Sequence, residues 1–153
     1  MPPEKMKSKL PFHKQEKPYT CAVACLRMIL GFYDFEIDEE SLREKCRTTT
    51  FGTAAEDVVK AAHEFGLAAR KEYATFEALR QYLTENIFPI LFINLLVIDG
   101  YNTTHAIVVE EVLESEIKFF DPRVGSRTVQ IDLMRYAWQR AKNVAIIIEK
   151  QKT

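Results

Sequence analysis

The sequence predicts an α+β protein, and three observations carry the prediction. Helical periodicity and capping signals fill the first half of the chain. β-Branched and aromatic runs, parted by turn residues, fill the second. Between them in character stands a helix opening at Cys21 that is apolar on all sides, as befits a helix buried in the middle of a domain. The expected architecture is an N-terminal helical half, with that central helix, packed on a C-terminal antiparallel sheet. A chain of 153 residues is most economically one domain, here residues 1–153, with 1–9 expected as a mobile arm.

Taken in order, Pro2, Pro3, Pro11 and Pro18 keep the first stretch extended. Thr20 is placed to cap a helix from Cys21 to about Tyr33, in which Arg27 is the one charged residue. A second helix fits "DEESLREKC", whose acidic start suits the helix dipole. A third is expected from Thr53, where Thr-Ala-Ala-Glu reads as a capping box, to a stop at Gly66. A fourth follows Thr75 and carries Phe76, Leu79, Tyr82 and Leu83 on one side. The strand candidates are "PILFINLLV", "HAIVVEEV", "EIKFFD", "RTVQI" and "NVAIIIEK", interrupted by one short helix at Leu133–Arg140.

Bulk properties remove several classes of function. A net charge of -1 leaves no electrostatic footprint for nucleic acid or an anionic membrane. The longest apolar stretch, Ile87–Ile98, is shorter than the roughly 20 residues of a membrane helix and is broken by Pro89 and Asn94. The N-terminus lacks the apolar core of a signal peptide. An odd cysteine count without an export signal predicts reduced thiols at Cys21, Cys25 and Cys46 in a cytoplasmic protein. No glycine run could cradle a phosphate.

The chemistry concentrates on "QEKPYTCAVACL". A helix N-terminus favours a thiolate, and Cys21 occupies that position, whereas Cys25 reads as packing and Cys46 as partly exposed. Buried cysteines are common, so Cys21 needs a base and an orienter before it reads as a nucleophile. Among the three histidines, His13 and His63 read as surface residues. His105 begins a strand after a polar loop, and the next strand ends at Asp121. A hairpin turning near Leu113–Glu116 brings the two to one end of the sheet, provided the register is right: a slip of one residue puts them on opposite faces. Gln15, six residues ahead of Cys21, is a candidate amide donor for an oxyanion, with the Cys21 N–H as the second donor.

These residues carry a resemblance. "Q-EKPYT-CAVACLRMILGFY", the "FGTAAEDVVKAAHEFGL" segment, "PILFI", "HAIVV" and "DPRVG" stand in the order found in the bacteriocin-processing peptidases. These are papain-like cysteine peptidase domains found in peptidase-containing ABC transporters. The resemblance covers about Leu10–Lys150. It implies a papain-like fold and peptide-bond hydrolysis without a cofactor. It also implies Cys21 as nucleophile, His105 as base, Asp121 as its orienter and Gln15 as oxyanion donor. The family's substrate is a leader peptide cut after a double glycine; with no transporter segment after Thr153, a transporter in trans and an unrelated peptide target stay equally open. The family's usual Asp-Cys-Gly is replaced here by Thr20-Cys21-Ala22.

Three other readings stay open on sequence alone. A catalytically silent relative would bind a peptide in the same groove. A transglutaminase-like or acyltransferase enzyme would use the same Cys-His-Asp logic with another acceptor. A metal site from Cys21, Cys25 and a histidine has poor ligand spacing.

Overall fold

The structure, a computed structural model, describes residues 10–152, so the arm expected at 1–9 lies outside the described residues. Helices α1 (Cys21–Phe32), α2 (Glu39–Lys45) and α3 (Ala55–His63) lead into strand β1 (Leu67–Tyr73) and helix α4 (Phe76–Thr84). Strand β2 (Ile90–Asn94), the short helix α5 (Leu96–Asp99) and strands β3 (Thr104–Val112), β4 (Glu116–Asp121) and β5 (Gly125–Gln130) follow. Helix α6 (Ile131–Arg140) and strand β6 (Val144–Lys150) complete the chain.

The strands form one antiparallel sheet in the order β1-β6-β2-β3-β4-β5. Side-chain alternation divides it between two apolar layers. Ile90, Ala106, Val108, Ile146 and Ile148 face α1, α2 and α3, while Leu91, Ile93, Ile107, Val109 and Ile147 face α4 and α6. Helices therefore cover both faces, and the central strands are near-continuous apolar runs because each side of them is buried. Trp138 of α6 closes the second layer, stacking edge-on against Phe76 and donating from Nε1 to Val144 O at 2.9 Å. Helix α1 is fully enclosed from Val23 to Leu30 except at Arg27, whose Nε reaches Ile37 O at 2.9 Å.

Several boundaries differ from expectation. Thr20 does not cap α1; its hydroxyl turns back to Lys17 O at 3.0 Å. Thr53 does not form a capping box, because its hydroxyl pairs with that of Thr48 at 2.7 Å and α3 starts two residues later. Thr75 and Asp38 do cap, accepting from Ala78 N and Ser41 N. The run "PILFINLLV" breaks where Asn94 Oδ1 accepts from Leu96 N at 2.8 Å and starts α5. β1 goes unforeseen in the sequence because an edge strand carrying Arg70, Lys71 and Glu72 lacks apolar alternation.

Candidate active site

The hairpin β3–β4 decides the register left open by the sequence. Near its turn Val112 pairs with Ile117 and Glu111 with Lys118; beyond an irregularity at Glu110, Val109 pairs with Phe119 and Val108 with Phe120. Continuing the turn-side register would set Asp121 opposite Val108, on the face away from His105. The extra residue at Glu110 shifts the pairing by one, so Asp121 falls level with Ile107, on the His105 face. The bulge thereby builds the pair: His105 Nε2 and Asp121 Oδ1 lie 2.8 Å apart, both residues buried. With Nε2 committed to the carboxylate, Nδ1 is the nitrogen left for the thiol.

Cys21 is the first residue of α1 and is partly accessible, in contrast to the sealed dyad behind it. Burial pushes its thiol up. A hydrogen bond and the charge of His105, with backbone N–H groups of Ala106 and Ala22 donating to sulfur, outweigh that and hold it below its ordinary value. The converse holds for the imidazole: burial lowers it, but its bonds to Asp121 and Cys21 leave it raised. Each partner stabilises the charged form of the other. Cys25 is fully buried and its thiol is raised by burial and by the anions around it. Cys46, expected to be partly exposed, is also fully buried, and its thiol is pushed up to about 12. Cys46 caps α2 one turn beyond Leu42 and shares its core-facing side, while Glu44 and Lys45 are exposed, which explains the difference.

Gln15 is fixed at both ends. Its backbone N donates to Pro122 O at 2.8 Å, tying the loop to the turn beyond Asp121, and its Nε2 donates to Lys17 O at 2.8 Å. That bond uses one amide hydrogen and leaves the second. It also fixes the amide orientation, since a flip would set Oε1 against Lys17 O; Oε1 is buried without a hydrogen-bond partner. Glu39, not anticipated from the sequence, anchors the same loop from below. This fully buried carboxylate accepts from Glu16 N at 3.1 and 3.2 Å, and its acid is raised by burial despite that bond. Glu39→Ala is expected to cost about 1–3 kcal/mol in urea titration, because an N–H loses its acceptor, and Glu39→Gln less. Equal losses from the two would contradict the assignment.

At the departures from the family pattern, Thr20 is fully buried and Ala22 is 3% exposed within the core. His13 and His63 are not part of the site; His63 Nε2 lies 3.0 Å from Ala69 O. Three further residues belong to it that the sequence reading missed, Asp99, Arg123 and Arg127, all bonded to one another or to Asp121. Arg123 lies inside "DPRVG", so proximity to Asp121 was a usable signal; Asp99 and Arg127 offered none.

A helix mouth bearing a thiol, packed on a sheet that presents a His–Asp pair, is the arrangement of a papain-like fold. The chain belongs to the Peptidase C39 family, whose model matches residues 9–153. It is 31% identical over 128 residues to the pediocin PA-1 transport/processing ATP-binding protein PedD of Pediococcus acidilactici. That match covers 84% of this chain but 17% of PedD. Two solved structures share the fold at a TM-score of 0.78. One is a double glycine motif protease from an AMS/PCAT transporter in complex with the leader peptide, 22% identical and covered to 94% on each side. The other is the peptidase domain of Streptococcus ComA, a bi-functional ABC transporter, 23% identical, covering 93% of this chain and 99% of that one. Among the described residues no helix is long and apolar enough to cross a membrane.

Proposed function

We propose that the protein is a cysteine peptidase that cleaves a peptide bond through Cys21, His105 and Asp121, with Gln15 serving the oxyanion. The contact that carries this reading is His105 Nε2 to Asp121 Oδ1 at 2.8 Å, inside a buried site whose other imidazole nitrogen is left for the thiol of Cys21. The Cys21 thiolate adds to the substrate carbonyl carbon. The negative charge moving to oxygen is met by Gln15 Nε2 and by the Cys21 N–H, which has no acceptor within the helix. Imidazolium His105 gives its proton to the leaving amine as the C–N bond breaks, leaving a thioester. Neutral His105 then takes a proton from water, hydroxide adds to the thioester, and the acid leaves as the thiolate and imidazolium are restored. Asp121, buried and acceptor-only, holds the ring and its charge throughout.

The substrate class we infer is a leader peptide cut after a double glycine. Support comes from the relatives: PedD is a transport/processing protein, and the AMS/PCAT protease is described with a leader peptide bound. A transporter acting in trans would then be the partner. The test is to incubate the protein with a leader ending in Gly-Gly and with its Ala-Ala counterpart, and to locate the cut by mass spectrometry. Cleavage after Gly-Gly alone supports the substrate class. Binding of both peptides without cleavage, or amine adducts without hydrolysis, would replace it with a silent binding module or an acyltransferase.

A further inference from the structure

Asp121 does not serve His105 alone. Its Oδ1 also accepts from Arg123 N at 2.9 Å and Arg123 Nε at 3.2 Å, and its Oδ2 from Arg123 Nη2 at 2.8 Å and Arg127 Nη1 at 3.0 Å. The same two guanidiniums reach on to Asp99. Arg123 Nη2 donates to Asp99 Oδ2 at 2.6 Å; Arg127 Nη1 and Nη2 donate to its Oδ2 and Oδ1 at 2.9 and 2.8 Å. The outcome is a closed ring of two carboxylates and two guanidiniums, gathered from α5, the end of β4, the β4–β5 turn and β5.

Its charge count has a consequence for the imidazole. Without Asp99, one buried carboxylate would face two guanidiniums, and that surplus of positive charge would disfavour imidazolium beside it. Asp99 brings the ring to neutrality. Arg127 and Arg123 hold its carboxyl down at about 2 against partial burial, so it remains an anion at any working pH. The other titratable group bonded to His105 is Cys21; Cys25, one turn along α1, is held as a neutral thiol by burial.

We propose that Asp99 is a positioning residue for the His105–Asp121 pair, acting through Arg123 and Arg127 to fix the Asp121 carboxylate and to keep His105 protonated. The proposal rests on the peptidase reading. Asp99 stands on the segment that runs from β2 directly into the His105 strand. Left-handed Gly100 (φ 85°) turns the chain there, its N–H returning to Leu95 O and Leu96 O at 3.1 and 2.9 Å.

The test is the titration of the His105 ring by proton NMR, its resonance assigned by loss in His105→Gln. It is run on the full chain carrying Cys21→Ser, so that a thiol titration does not mix with it. Asp99→Asn is expected to lower the His105 midpoint by about 0.5–1 pH unit, Arg127→Gln to raise it by a similar amount, and the double variant to restore it. Mere loosening of a brace would shift both single variants the same way, and that result, or an unmoved midpoint, overturns the proposal. Should Asp99→Asn not fold, Arg127→Gln decides alone: no rise overturns it. Alkylation of Cys21 in the wild-type chain and in His105→Ala tests the underlying reading separately. An activated Cys21 with an unresponsive midpoint defeats only the role of Asp99. An inert Cys21 with opposed shifts defeats the peptidase reading and leaves the electrostatic coupling standing.

Discussion

Cys21→Ala is expected to remove peptide hydrolysis, with a fall in kcat of ~10⁴-fold or more, while peptide affinity stays nearly unchanged. His105→Ala should fall to much the same floor, and the Cys21→Ala/His105→Ala double variant no further. The reason is geometric: His105 holds the Cys21 thiol below its ordinary value, and Asp121 holds the far nitrogen of the imidazole and raises it, so removing either member is expected to disable the unit. Steady-state kinetics on a cleaved peptide, with affinity measured by calorimetry, checks this. Independent and multiplicative losses would mean that the two residues do not work as one device.

Gln15→Ala is expected to lower kcat by ~10²–10³-fold with little change in KM, the signature of a donor engaged in the transition state and not in the bound substrate. The side chain is held in place from several sides. Its amide is held by Lys17 O, its backbone by Pro122 O, and the adjoining peptide by Glu39, so the side chain is ordered with one amide hydrogen left over. A rise in KM at constant kcat would instead make Gln15 an ordinary substrate contact.

Much of this molecule can be read from the chain, and what cannot has identifiable causes. The apolar helix after Cys21, the helices following Thr75 and at Glu39–Lys45 and the β3–β4 hairpin are local patterns, and they appear where the sequence places them. His105 and Asp121 were legible as strand-end residues of that hairpin, but their shared face was not. It depends on a bulge at Glu110, which carries no sequence signature distinct from its neighbour Glu111. β1 escaped because an edge strand needs only one partner and is protected by charge. The expected helical half packed on an antiparallel sheet is present, and the helix expected at Leu133–Arg140 is there as α6, but the second apolar layer it builds was not specified. α6 follows β5 and packs across the strands onto β2, a long-range contact that no local pattern encodes. Asp99 and Arg127 were invisible for the same reason: their meeting with Asp121 is set by sheet order, not by spacing along the chain.

The central claim is an activated thiol, and cysteine reactivity at mildly acidic pH tests it most directly. An unperturbed thiol with a pKa of about 8.5 is almost wholly protonated near pH 6. Cys21 is held below its ordinary value by His105, while Cys25 and Cys46 are raised by burial, so the three thiols should separate sharply. With limiting iodoacetamide and peptide mass spectrometry, Cys21 is predicted to be the fast site in the native chain and to lose that advantage in His105→Ala. A Cys21 no faster than Cys46, or equally fast without His105, would contradict the account.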